Sequence, residues 1–328
     1  MHILVLGAAG MVGRKLSERL LRDGRLGKSD ITRLTLHDVV APAKPEKAGF
    51  PVETVAGDFA VPGAAEKLIA DRPDVIFHLA AIVSGEAELD FDKGYRINLD
   101  GTRMLLDAIR LAGGGYKPRV VFTSSIAVFG APFPEAIGDE FFHTPLLSYG
   151  TQKAIGELLL ADYSRRGFLD GIGIRLPTIC IRPGLPNKAA SGFFSNILRE
   201  PLAGKEAILP VSEDVRHWHA TPRSAVGFLL HAGTMDLAAV GPRRNLTMPG
   251  LSATVGEQIA ALKRVAGEKV AARIRREPDP FIVGIVGGWP RNFDAKRSLE
   301  LGFTTAEKTF DDIIRIHIED ELGGNFVA

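Results

Sequence analysis

Cysteine is nearly absent: Cys180 is the only one in 328 residues. A single thiol forms no intramolecular disulfide and builds no multi-cysteine metal centre, which suits a reducing compartment. An excess of one charge is also missing, since 40 basic and 39 acidic residues leave a net charge of +1. No global field therefore favours DNA, RNA or an anionic membrane, although a focused anion site is still allowed. No apolar run approaches the ~18 residues of a membrane-spanning helix, and even residues 281–289 are short and interrupted by glycine. The apolar first ten residues lack the basic start of a signal peptide and run into Arg14 and Lys15. They read as a strand, and the expected location is the cytoplasm. No internal repeat is visible, which excludes a solenoid.

What is present is the composition of a folded enzyme-sized chain, 45% apolar and 24% charged, with an excess of glycine. Short apolar runs at residues 3–6, 33–37, 75–79 and 120–123 read as strands buried on both faces. Helical periodicity fills the intervals at residues 12–23, 63–70, 98–112 and 149–164. This alternation predicts an α/β fold, a Rossmann-type doubly wound parallel sheet with a smaller C-terminal substrate domain. A further strand at residues 171–176 should stop at Pro177, which has no N–H for continued pairing. Residues 1–176 are thus the expected cofactor domain. Pro183, Pro186, Pro201 and Pro210 then break the rhythm. Residues 177–214 and 249–328 are assigned to the substrate-binding unit, with 215–248 expected to pack back on the sheet.

The first glycine cluster, Gly7, Gly10 and Gly13, follows the first strand and opens the first helix. A dinucleotide pyrophosphate needs that context: a tight turn, a close backbone and the free N–H groups of a helix N-terminus, here with Met11 and Val12. The next strand ends at Asp38, whose carboxylate suits ribose hydroxyls and repels a 2′-phosphate, favouring NAD over NADP. Asp58 and Phe59 follow another short apolar run, and the aspartate is placed either near adenine or in an ordinary turn.

Tyr149 and Lys153 are spaced i, i+4 on one helical face, and Ser124 and Ser125 end a buried strand. In their order along the chain, the glycine loop, Asp38, Gly57-Asp58, the segment from His78 to Ala81, Asn98 to Thr102, Ser124-Ser125 and Tyr149-x-x-x-Lys153 resemble the extended short-chain dehydrogenase/reductase superfamily, the NAD-dependent epimerases and dehydratases. The resemblance implies Ser125, Tyr149 and Lys153 as catalytic groups, with Lys153 and the nicotinamide together lowering the tyrosine by about three pKa units. It also implies Leu79, Ala80, Ala81 and Pro177 beside the cofactor and allows a homodimer through the helices at 98–112 and 149–164; the residues themselves define no metal site, and no metal is expected. Asn98 reads equally as a helix N-cap or as a group near the cofactor.

Dehydratases of that superfamily carry acidic residues where this chain has Ser125 and Ile126, which leaves hydroxyl oxidation or epimerisation. The second half resembles bacterial dehydrogenases acting at C2 of small sugar acids such as D-erythronate. A carboxylate substrate calls for a cation, and Arg182 or Arg216 is the candidate, with Ser84 also on the substrate side. A nucleotide-sugar epimerase and a non-catalytic dinucleotide sensor are the alternatives.

Overall fold

The computed structural model describes residues 1–184 and 190–328, so Pro186 and the rest of 185–189 lie outside the described residues. Seven parallel strands form the central sheet, in the spatial order Asn245–Thr247, Asp170–Leu176, Arg119–Ser125, Val75–His78, His2–Leu6, Arg33–Asp38 and Val52–Ala56. The strand order reverses direction around the first strand, the switch point at which open α/β sheets bind ligands.

Alternation along the first strand shows how the sheet is covered on both faces. Ile3 and Val5 join a core with Leu16, Leu20, Phe228 and Leu229, whereas Leu4 and Leu6 join another with Leu105, Ile109 and Leu160. A separate apolar core lies in the C-terminal part, around Phe194, Ile197, Leu198, Leu262, Ile313 and Ile314. Among the described residues no helix is long and apolar enough to cross a membrane.

Residues 215–248 divide between these cores. The helix Pro222–Thr234 packs on the central sheet and Asn245–Thr247 completes its edge, but Arg216–Ala220 pairs with Thr178–Ile179 and Leu251–Thr254 in a separate three-stranded sheet. Strand Asp170–Leu176 does end at Pro177, and the chain re-pairs two residues later in that smaller sheet. The proline-rich stretch also contains a regular helix, Gly192–Leu202, with Pro201 in its last turn.

Asn98 is not an N-cap. It lies inside a π-helical segment, Tyr95–Gly101, that runs directly into the helix Thr102–Leu111. Its side chain instead reaches sideways, accepting from the N–H of Ile82 at 2.9 Å and donating to Gln152 Oε1 at 2.8 Å.

Candidate active site

At the C-terminal ends of the strands lies a cavity of about 490 Å³. Gly7, Gly10, Met11, Val12 and Gly13 form one wall. Gly7 has φ 87°, and a Cβ there would sit 2.7 Å from the backbone nitrogen of Ala80. At Gly13 a Cβ would come within 2.1 Å of the Gly7 carbonyl oxygen. Only glycine allows loop, helix and neighbouring strand to approach this closely. Gly10 caps the helix Met11–Asp23 without a side chain, so the first-turn N–H groups are left for an anion. Behind the loop, Asp38 Oδ2 accepts from the N–H of Ala9 at 2.9 Å, anchoring the carboxylate beside the turn. This cradle, closed to any Cβ and uncapped at its helix, fits a dinucleotide pyrophosphate.

Ser125, Tyr149 and Lys153 converge on the same cavity, the serine from the end of Arg119–Ser125 and the other two from the helix Ser148–Arg165. Lys153 is 2% exposed, and its Nζ donates to the Thr123 carbonyl at 2.8 Å. Burial pulls its ammonium down to about 7, opposed by the charge of Glu157. Tyr149 goes the other way: burial pushes the phenol up to about 12 against the pull of Arg182 and of the Ser125 hydroxyl. The expected fall in tyrosine pKa is therefore absent from the protein alone, because desolvation outweighs the neighbours. The cation that opposes the rise is Arg182.

Across the cavity stand Ser84, Arg182, Ser191, Asn196, Arg199, His217 and Trp289. Arg182 donates to the Ile179 carbonyl at 3.0 Å and to Ser191 Oγ at 2.8 Å, which fixes the guanidinium against the wall. Removal from water lowers its pKa, and among the described residues it pairs with no carboxylate. Arg199, by contrast, is matched by Glu200 at 2.7 Å and also donates to Asn196 Oδ1 at 2.7 Å. His217 receives a hydrogen bond from Thr178 and faces the Pro290 carbonyl at 2.8 Å, holding the Trp289 segment over the cavity.

Other expected site residues fall differently. Leu79, Ala81 and Pro177 line the cavity, while Ala80 backs Gly7 from outside the wall. Asp58 is tied to Arg96 at 2.7 Å and to the N–H of Ala60, and Phe59 is 4% exposed, packed edge-on against His78, so neither lines the cavity. Asn98 is likewise excluded, acting on Ile82 beside the wall rather than on the wall itself. Arg216 points away, bonding Ser252 and Glu257, because side chains alternate along its strand and it is the next residue, His217, that faces the cavity. Sequence reasoning missed Asn196, Arg199 and Trp289 as walls. It also missed the buried cluster of Ser124, His143, Glu157 and Arg175 behind the helix.

This geometry has a counterpart in known proteins. The model of the NAD dependent epimerase/dehydratase family matches residues 3–220. The chain belongs to that family. It is accordingly an NAD-dependent enzyme of the short-chain dehydrogenase/reductase type. It is 47% identical to the D-erythronate dehydrogenase of Cupriavidus necator over 98% of each chain. With the D-erythronate dehydrogenase of Haemophilus influenzae it shares 41% over 98% of this chain and 100% of that one. Among solved structures, a crystal structure described as a nucleoside-diphosphate-sugar epimerase from Agrobacterium tumefaciens is 69% identical. It superposes with a TM-score of 0.96 over 99% of this chain and 95% of that one.

Proposed function

We propose that the chain oxidises the C2 hydroxyl of a small sugar acid such as D-erythronate to the 2-keto acid, with Tyr149 as base. When bound, NAD supplies the acceptor for the hydride leaving C2. The glycine loop and the uncapped helix hold its pyrophosphate, Asp38 its adenosine ribose, and Lys153 the ribose nearer the reaction. The Tyr149 phenolate takes the hydroxyl proton as the C–O bond becomes a carbonyl, and Ser125 hydrogen-bonds that oxygen through the change. Residues 1–176 are assigned to the cofactor, and the walls contributed by 177–214 and 249–328 to the substrate.

The observation that carries the substrate class is Arg182. It is a desolvated cation on the cavity wall, without a carboxylate partner among the described residues and close enough to Tyr149 for each to shift the other. A substrate carboxylate supplies the missing charge and fixes the neighbouring C2 hydroxyl toward the base. Two relatives named for a sugar acid support the same reading.

A second reading, nucleotide-sugar epimerisation with the same three groups, is favoured by the description of the Agrobacterium structure. The two separate on redox balance. Protein and NAD are incubated with four-carbon sugar acids and with nucleotide sugars while NADH absorbance is followed. Net NADH with an acid is expected, whereas a rearranged nucleotide sugar without net NADH overturns the proposal. Arg182→Gln should lower kcat/KM for the acid by about 100-fold, as loss of a buried charge pair does, while NAD still binds.

A further inference from the structure

One turn after Lys153 on the same helix, Glu157 is 0% exposed and does not line the cavity. Three parts of the chain converge on its carboxylate. Ser124 Oγ donates to Oε1 at 2.5 Å from the end of strand Arg119–Ser125. Arg175, near the end of strand Asp170–Leu176, grips both oxygens, with Nε 2.9 Å from Oε1 and Nη2 2.7 Å from Oε2. His143 Nε2 lies 2.9 Å from Oε2, and since the carboxylate only accepts, that nitrogen is assigned as the donor.

Such a cluster is a poor device for stability alone, because a buried ion pair is often replaced by apolar groups without loss. Its position suggests another use. Lys153 meets Thr123 O and the Phe122 ring from the strand, with the Tyr149 ring on its own helix and His78 facing it from Val75–His78. Burial holds His78 neutral, down to about 3. Arg175 and His143 bond to Glu157 itself. Of the charges around Lys153, the carboxylate that favours its protonated form is Glu157.

We propose that Glu157 is a positioning residue for the proton-transfer pair: held by Ser124, Arg175 and His143, it keeps Lys153 in the charged form that stabilises the Tyr149 phenolate. The inference rests on the assignment of Tyr149 and Lys153 given above. Its consequence is specific. When tyrosine and lysine share one proton, only the form with the proton on lysine is active, and removing the Glu157 charge moves that proton onto tyrosine. At acid pH, where both are protonated, the loss has little effect; it grows as the pair loses its first proton.

The test is the pH profile of kcat/KM for sugar-acid oxidation in Glu157→Gln, which preserves shape. It is repeated in the double variant Glu157→Gln/Arg175→Met, which leaves no stranded guanidinium. Expected is near-equality with wild type on the acid limb and divergence with rising pH to about tenfold, the equivalent of about one pKa unit, with NAD affinity unchanged. A pH-independent loss, no loss, or failure of both variants to fold overturns the proposal in favour of a purely structural role. Tyr149→Phe serves as the reference: if it retains full turnover, the assignment of the base itself fails. If it is inactive while the Glu157 profiles stay parallel to wild type, only the present inference fails.

Discussion

Lys153→Met should stabilise the ligand-free fold while abolishing oxidation. The lysine is 2% exposed and its pKa falls from 10.5 to about 7 on burial. A fall of about 3.5 units corresponds to about 5 kcal/mol of unfavourable burial whenever both folded and unfolded forms are protonated. The hydrogen bond to Thr123 O returns about 1 kcal/mol. Methionine adds apolar packing beside Phe122, and Glu157 keeps Arg175 and His143, so no carboxylate is stranded by the change. With the lost hydrogen bond set against the relieved burial, a net gain of about 4 kcal/mol is expected. The sign with pH follows from the depressed pKa. Below about 7 both states carry the proton and the full penalty stands; between about 7 and 10.5 the folded state releases it; above 10.5 no penalty is left. The advantage of Lys153→Met over wild type is therefore largest at pH 6 and shrinks steadily toward pH 10. Urea midpoints of the two proteins without NAD at pH 6, 7.5 and 9 measure it. A variant less stable than wild type at pH 6, or a difference that does not change with pH, refutes the reasoning.

Two further outcomes concern the cofactor wall. Gly13→Ala places a methyl 2.1 Å from the Gly7 carbonyl oxygen, so the loop must move, and NAD affinity by calorimetry should fall at least about 100-fold with little loss of secondary structure by circular dichroism. Asp38→Asn keeps an acceptor for the Ala9 N–H but removes the charge, and the ratio of kcat/KM with NADP to that with NAD should rise by about tenfold; an unchanged ratio removes Asp38 from cofactor discrimination.

The parallel sheet was legible because its strands are apolar almost throughout, as only strands covered on both faces are: all four residues of Val75–His78 are buried. The glycine loop was legible because its spacing is tied to a strand before it and a helix after it. Legibility failed where the deciding contact is distant in the chain. Arg182 and Arg216 look alike as sequence, yet one is fixed by Ile179 and Ser191 on the cavity wall and the other is drawn off by Glu257. Asn98 has the composition of a helix cap, and only the approach of Ile82 and Gln152 reveals its bonds. Glu157 and Arg175 did leave a trace, as charged residues within otherwise apolar segments, although neither segment names the other as partner.

The charges around the cavity have one logic. Its two desolvated cations, Lys153 and Arg182, are both held below their ordinary pKa values. The nearby carboxylates are committed elsewhere: Asp38 to the N–H of Ala9, Glu157 to Arg175, and Glu200 to Arg199. An interior arranged this way is costly, since among the described residues neither cation has a carboxylate at contact distance. The missing charges are those that the proposed reaction brings, a substrate carboxylate at Arg182 and a phenolate formed beside Lys153. Binding the acid therefore relieves one penalty, and ionising the tyrosine relieves the other. On the proposed assignment a neutral sugar of the same size leaves the Arg182 penalty in place, so an acid should be favoured over it by charge. Near-zero net charge across the whole chain is compatible with such selectivity, because the field that matters is local to Arg182 and Tyr149.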